Sequence, residues 1–243
     1  MSLIGHLAEL RRRIFISLVA VIIGIIVSFV FRDFIFDLLM RPGDDPELFF
    51  HTLTGAIGPT MKVALLGGVI LALPVVAYQA VQFLAPGLTR SERRYFLIML
   101  PGVALCFLAG MAFAYFILIP PIIDFLFTFG EDVATPLVGL DSYVNTVTSL
   151  LFWMGVAFET PFIMYFFARL GIMSPDFYAR QRRMWFVISF VLGAIITPTF
   201  DPINQSLVAA PFIVLYELGI WVSRLALRGR RKSQAREAAN REK

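Results

Sequence analysis

The sequence has few of the side chains that enzymes use for chemistry. Its 243 residues include one cysteine, Cys106, and two histidines, His6 and His51. Cys106 lies inside an apolar run, so the pattern predicts neither a disulfide framework nor a metal cluster. The histidines lie outside the apolar runs, which argues against an intramembrane protease of the serine–histidine or zinc type. With no glycine-rich phosphate loop either, the sequence indicates a non-enzymatic protein without a cofactor.

Charged residues are also scarce. They make up 16% of the chain, against 58% hydrophobic residues with 25 phenylalanines, whereas soluble domains carry about 25% charged residues. The composition therefore predicts an integral membrane protein in contact with the lipid bilayer. An isoelectric point near 9.5 could suggest nucleic-acid binding. The basic residues, however, lie in loops between apolar runs, which favours membrane topology over a nucleic-acid partner.

Six apolar runs are candidates for membrane-spanning helices. They are Ile14 to Phe31, Val63 to Phe83, Tyr95 to Ile119, Leu150 to Ala168, Met184 to Ile196 and Leu207 to Trp221. The predicted fold is an all-α polytopic membrane protein with six helices, of which the fifth and sixth are short relative to the ~30 Å hydrocarbon core. Pro74 and Pro161 are expected to kink their helices, and Pro120-Pro121 to end the third.

The distribution of charge predicts which ends are cytoplasmic. Eighteen of the 21 basic residues fall in the terminal segments and alternate loops that would lie inside, whereas the outer segments carry ten acids. Lys and Arg mark the cytoplasmic side of a membrane protein. We therefore predict a transmembrane domain over residues 1–227 with both termini cytoplasmic, and a basic cytoplasmic tail over 228–243 that is disordered beyond Arg231.

Two acids are predicted at the cytoplasmic edge. Glu9 precedes Arg11-Arg12-Arg13 on a short amphipathic helix, and Glu92 follows Thr89 in a pattern typical of a capping box. Glu9 could receive a cation, or simply pair with Arg13 one turn away. If the helix ends adjoin, the two carboxylates could together hold two guanidinium groups. That hypothesis requires that the carboxylates converge and that neither is sealed in a local ion pair.

Glu159 lies near the middle of the fourth apolar run, in Phe158-Glu159-Thr160-Pro161. A charged group at a helix centre costs about 2.5 to 3.5 kcal/mol, so an acid there is a candidate functional residue. The alternative is a protonated carboxyl hydrogen-bonded inside a packed bundle. Glu217 in the sixth run is nearer the cytoplasmic end and could reach the interface. Lys62 is expected to extend to the outer surface.

Several short motifs, taken together and in their order along the chain, resemble the TatC family, the large multispanning subunit of the twin-arginine (Sec-independent) protein translocase. The motifs are His6-Leu7-Ala8-Glu9-Leu10-Arg11-Arg12-Arg13, Lys62 through Pro74 with Gln79, Phe83-Leu84-Ala85-Pro86-Gly87-Leu88 to Glu92-Arg93-Arg94, Gly110 to Tyr115, Phe158 to Pro161, Thr197-Pro198 with Gln205, and Tyr216-Glu217. The resemblance covers essentially all of Leu3 to Arg224.

The resemblance implies a glove-shaped protein with a concave face in the bacterial cytoplasmic (inner) membrane. It implies that Glu9 and Glu92 bind the twin arginines of signal peptides on folded cargo, and that Glu159 is an intramembrane acid on the concave face. It further implies small single-span partners of the TatA and TatB type at Thr197 and Gln205, a homo-oligomer in a larger complex, and transport driven by the proton gradient. The remaining family-matched residues are Arg11, Pro42, Lys62, Gln79, Tyr115 and Asp201.

Two other functions remain open on the sequence. One is a proton-coupled small-solute transporter that uses Glu159 and Glu217; the chain shows no inverted repeat or matched pair of broken helices to support it. The other is a purely structural assembly subunit, which would need neither Glu9 nor Glu92.

Overall fold

A computed structural model describes residues 3–43, 48–50, 52–84, 90–129, 137–197 and 201–241. For residues 3–4, 84, 90–96, 98 and 228–241 it describes the backbone alone. The helices are α1 (Leu3–Val30), α2 (Arg32–Met40), α3 (Ile57–Leu84), α4 (Arg90–Phe113), α5 (Ile119–Thr128), α6 (Leu140–Phe158), α7 (Thr160–Leu170), α8 (Pro175–Arg180), α9 (Arg182–Ile196) and α10 (Pro202–Arg241). Two short strands, β1 (Leu48–Phe49) and β2 (Val138–Gly139), pair in parallel.

Helices α1 and α3 form the most closely packed pair near the N-terminus. Because Gly24 and Gly68 have no side chains, their backbones meet directly, and a Cβ on Gly24 would lie 2.5 Å from the Gly68 carbonyl oxygen. Gly67 likewise leaves room for Ser28. Small residues allow such close approach between membrane helices. The predicted amphipathic N-terminal helix and the first apolar run are therefore one continuous element, held along its length by α3.

The third apolar run departs from the prediction at its end. Pro120-Pro121 was expected to terminate the helix, and this is wrong: the chain stays helical to Thr128. A π-helical stretch, Ala114–Leu118, precedes α5, and the prolines then fall in the first turn of α5, where a backbone N–H is not needed. The result is a single apolar stretch, Met99–Thr128, long enough to cross a membrane.

The fourth apolar stretch is interrupted at Glu159. Helix α6 ends at Phe158 and α7 begins at Thr160, with Pro161 in its first turn. This position of the break agrees with the kink predicted from Pro161. The stretch is longer than the apolar run suggested, because α6 begins at Leu140. Valines, leucines and methionines of α6 fill the centre of the molecule, where Val144, Val147 and Leu150 are fully buried.

Among the described residues, five stretches, including Pro202–Leu227 of α10, are long and apolar enough to span a membrane. The fifth apolar run forms only the 15-residue α9, about 22 Å long, as predicted. The sixth run is not short as a helix, since α10 extends beyond it at both ends. The backbone of the same helix continues to Arg241, and the disorder expected beyond Arg231 stays a prediction. The chain is an all-α, multi-pass membrane protein; its orientation stays a prediction.

Candidate functional site

Glu9 lies in a small polar cluster between α1 and α3. Arg13 donates from Nη2 to Glu9 Oε1 (3.0 Å) and from Nη1 to Gln79 Oε1 (2.9 Å). Both partners are largely buried, with Gln79 8% exposed and the Glu9 side chain 20% exposed. Within the described part of the chain, Glu9 Oε2 and Arg13 Nε are buried without a hydrogen-bond partner. The guanidinium of Arg13 thus bridges two helices, while one carboxylate oxygen has no donor among the side chains that the structure describes.

The ends of α1 and α3 are fixed together beside this cluster. The ring of His6 stacks on that of Phe83, with centroids 4.4 Å apart and planes 20° apart. Helix α3 ends one residue later, at Leu84, and α4 begins at Arg90. Glu92 is therefore in the first turn of a helix that packs on α3. Its side chain lies outside the described residues, so the predicted convergence with Glu9 stays a prediction.

The local ion pair that the sequence left open for Glu9 is confirmed. Glu9 and Arg13 are one turn apart, the arrangement expected of such a pair. The requirement that neither acid be sealed in a local pair is therefore not met for Glu9: a second guanidinium would have to displace Arg13 or share the carboxylate with it. The third member, Gln79, was not predicted in this role, because its contact spans 66 residues and no local pattern signals it.

Glu159 is the buried acid at the break between α6 and α7. The residue is 9% exposed, and its Oε1 has no hydrogen-bond partner among the described residues. It lines an apolar cavity of about 340 Å³ between α3, α4 and α7. The ring carbons of Phe162 and Phe166 belong to the same wall. A carboxyl group with an unused oxygen in an apolar cavity can accept a hydrogen bond from a donor that enters it.

Thr197 and Gln205 lie where α9 meets α10. Thr197 donates to the carbonyl of Gly193 (2.8 Å), and Gln205 donates from Nε2 to the carbonyl of Phe190 (2.9 Å). Gly193 permits the close approach, since a Cβ there would lie 2.9 Å from the Gln205 carbonyl oxygen. Gln205 borders an exposed apolar surface of α9 that includes Phe186 and Val191. The two predicted partner-contact residues are thus close together at one edge of the molecule.

Three family-matched residues make contacts between helices or cap a helix, at the end of the molecule opposite Glu9. Lys62 donates to Asp141 at 3.0 Å, so it joins α3 to α6 instead of only reaching outward. Tyr115 donates to the carbonyl of Leu38 (2.8 Å) near the end of α2. Asp201 caps α10 by accepting from the backbone N–H of Asn204 (2.7 Å), the arrangement expected of an N-cap.

The two other family-matched residues make no comparable link. Pro42 lies in the 3₁₀ turn after α2, beside Pro120 and Pro121. The side chain of Arg11 is exposed on α1.

Glu217 forms a further ion pair, which the sequence did not predict. Arg182 of α9 contacts it at 2.7 Å. Nearby, the ring of Trp185 stacks on that of Tyr216, with centroids 4.7 Å apart, and Tyr216 donates to the carbonyl of Tyr178 (2.8 Å). Burial raises the pKa of Tyr178 to about 12, and Tyr216 adds to the rise, so this phenol stays neutral at physiological pH. These five residues connect α8 and α9 to α10.

These features define a multi-pass helical membrane protein with a buried acid at the break between two of its helices. Residues 5–211 match the sequence profile of the family described as Sec-independent protein translocase protein (TatC). The chain belongs to this TatC family, whose members are components of a protein translocase.

Individual relatives agree with this membership along nearly the whole chain. The Sec-independent protein translocase protein TatC of Aquifex aeolicus is 38% identical, with 96% of this chain and 99% of that protein covered. That of Carboxydothermus hydrogenoformans is 35% identical, with 92% and 93% covered. A crystal structure of the twin-arginine translocase receptor TatC is 37% identical, covers 91% of this chain and 99% of its own, and superposes with a TM-score of 0.81. The similarity extends through the helices that carry Glu9, Glu92 and Glu159.

Proposed function

We propose that this protein is the receptor and core subunit of a twin-arginine protein translocase in a bacterial cytoplasmic membrane. It binds the paired arginines of a signal peptide through Glu9 and Glu92. The observation that carries this proposal is the position of Glu9: a carboxylate held at the joined ends of α1 and α3, although Arg13 must give way or share it before a peptide guanidinium can bind. A crystal structure described as a twin-arginine translocase receptor shares the fold.

The topology supports a second acid at the same place. Helix α4 begins six residues after α3 ends and packs on α3, as α1 does. Glu92, in the first turn of α4, is therefore near the end of α3 at which Arg13 bridges Gln79 and Glu9. Guanidinium groups bind carboxylates with paired hydrogen bonds that an ammonium cannot reproduce. One acid on each side of the end of α3 could therefore bind one of two adjacent arginines.

The remaining parts of the proposal concern the membrane and the partners. The apolar part of the signal peptide lies along the concave face that includes Glu159. Small single-span subunits of the TatA and TatB type contact the edge that carries Thr197 and Gln205, beside the exposed apolar surface of α9. The complex contains more than one copy of this chain, and the proton gradient drives transport.

Neutralising the two acids tests the receptor function. Each charge-assisted contact contributes about 1.5–3 kcal/mol, so Glu9→Gln or Glu92→Gln should weaken binding of an Arg-Arg signal peptide about tenfold, and the double variant about a hundredfold. Affinity is measured with the purified protein in detergent micelles, at low and at physiological ionic strength. An Arg-Arg to Lys-Lys change in the peptide should weaken binding to the unmodified protein.

Asp176→Asn is the matched control. Asp176 is an exposed acid on α8, so its loss removes one negative charge away from the proposed site. Its affinity should equal that of the unmodified protein. Unchanged affinity in the Glu9→Gln/Glu92→Gln double variant would remove the receptor function, and would favour an assembly subunit that needs neither acid. Loss of activity only at Glu159 and Glu217 would favour a proton-coupled solute transporter.

A further inference from the structure

We propose that Arg13 is a resident guanidinium that occupies the Glu9 carboxylate until a signal-peptide arginine displaces it, and that Gln79 retains Arg13 when it leaves. This inference rests on the proposed receptor function and adds two residues that determine specificity. Its basis is the bridge that Arg13 forms from α1 to α3, with hydrogen bonds to Glu9 and Gln79.

The geometry leaves Glu9 little capacity for an additional partner. One carboxylate oxygen, Oε1, accepts from Arg13 at 3.0 Å. The other, Oε2, is covered by the surrounding protein and has no donor among the described residues. An external guanidinium can therefore share Oε1 with Arg13, but it can form a paired contact with both oxygens only if Arg13 moves. Once Arg13 has moved, both oxygens can be used, and a paired contact replaces a single one.

Gln79 lowers the free-energy cost of releasing Arg13 from Glu9. A half-buried guanidinium that lost its carboxylate would otherwise remain without an acceptor, which is costly inside a protein. The amide oxygen of Gln79, buried at 8% exposure, already accepts from the other terminal nitrogen at 2.9 Å. His6 stacked on Phe83 holds α1 against α3, so this acceptor stays within reach. Arg13 can then leave Glu9 and still keep one hydrogen bond.

The same arrangement produces selectivity. A ligand gains only the difference between its own contact with Glu9 and the Arg13 contact that it replaces. A guanidinium can form two parallel hydrogen bonds to a carboxylate and so can compete with another guanidinium. An ammonium forms a single point contact and competes poorly. Arg13 thus raises the threshold for binding and excludes peptides that carry lysine in place of arginine.

Four variants test this inference through peptide affinity. Arg13→Gln should bind an Arg-Arg peptide about three- to tenfold more tightly, the range expected for release from a partly exposed ion pair, and should narrow the difference between Arg-Arg and Lys-Lys peptides. Gln79→Leu should weaken binding, because Arg13 loses its second acceptor. In the Arg13→Gln/Gln79→Leu double variant, Gln79→Leu should have no further effect, since Gln79 acts through Arg13. Arg12→Gln, the fourth, is the control.

Arg12→Gln removes the same charge from the neighbouring exposed position, and so measures the purely electrostatic gain for a cationic peptide. The gain in affinity for the Arg-Arg peptide must be larger for Arg13→Gln than for this control. Arg13→Gln must also change the ratio of the affinities for the Arg-Arg and Lys-Lys peptides, whereas Arg12→Gln must leave that ratio unchanged. Equal or weaker binding by Arg13→Gln would overturn the inference, even if Glu9→Gln still lowered affinity and the receptor function stood. Should Arg13→Gln fail to fold, Arg13→Lys replaces it; an affinity no higher than that of the unmodified protein would likewise overturn the inference.

Discussion

Replacing Gly110 by valine should disturb the packing of α4 on α6 and strongly destabilise the folded protein. A Cβ at Gly110 would collide with the Met154 carbonyl oxygen and would lie 2.9 Å from the Gly155 Cα. Both are backbone atoms and cannot move as a flexible side chain would. Overpacking of a core costs about 1–3 kcal/mol and occasionally more, and a rigid backbone neighbour puts this case at the upper end. The yield of monodisperse protein and its thermal midpoint measure the effect.

Gly102→Val is the matched control on the same helix. Gly102 is two turns earlier, and the one described atom near a Cβ placed there would belong to the Phe162 ring, at 4.0 Å. The two variants add the same atoms to the same helix and differ only in what those atoms meet. Gly102→Val should therefore fold with nearly the original stability. Equal stability of the two variants would contradict the backbone contact between α4 and α6.

Changing Glu159 to lysine should also strongly destabilise the folded protein, whereas changing it to glutamine should leave the protein folded. Lys near the centre of a membrane helix costs about 2.5 to 3.5 kcal/mol, and the cavity beside Glu159 is lined almost entirely by apolar side chains. Glutamine is neutral and nearly the same size, so it fits the same space. We expect Glu159→Gln to insert and bind an Arg-Arg peptide as the unmodified protein does, while transport of folded cargo is reduced. Peptide affinity and transport are measured on the same preparation.

The two Glu159 variants also separate packing from function. Glu217→Gln is the matched control, because that acid is partly exposed and paired with Arg182 instead of facing a cavity. If Glu159→Gln failed to insert, the acid would be a packing element, as the alternative interpretation holds. Intact insertion with unchanged transport would show that the carboxyl group is not needed after peptide binding.

Local patterns predicted the helices well, because each depends on residues close in sequence. The break at Glu159 followed from Pro161, and α9 followed from a short apolar run. The end of the third helix was not predicted correctly. Pro120-Pro121 indicates the end of a helix unless the π-helical turn that precedes it is known. The polar ends of α10 were not predicted to be helical, because the prediction followed apolar residues only. A long helix can carry polar and charged residues where it leaves the membrane.

The candidate site was predicted only in part, since tertiary contacts decide it. Glu9 was identified from its arginine-rich surroundings, and its pairing with Arg13 was an open alternative. The involvement of Gln79 could not be foreseen, because it depends on α1 and α3 meeting at Gly24 and Gly68. A repeated small-residue pattern is visible in sequence, but which members contact backbone is not: on α4, Gly110 does and Gly102 does not.

The central claim is that two acids at one helix junction receive two adjacent arginines, and photocrosslinking tests it most directly. A photoreactive residue is placed beside the paired arginines of a labelled signal peptide, which is irradiated with the unmodified full chain, and the adducts are mapped by mass spectrometry. Adducts should map to the segments around Glu9 and Glu92, should disappear with excess unlabelled Arg-Arg peptide but not with Lys-Lys peptide, and should be absent around Asp176. Adducts at only one of the two acid-bearing segments, or equal labelling of all three segments, would contradict the claim.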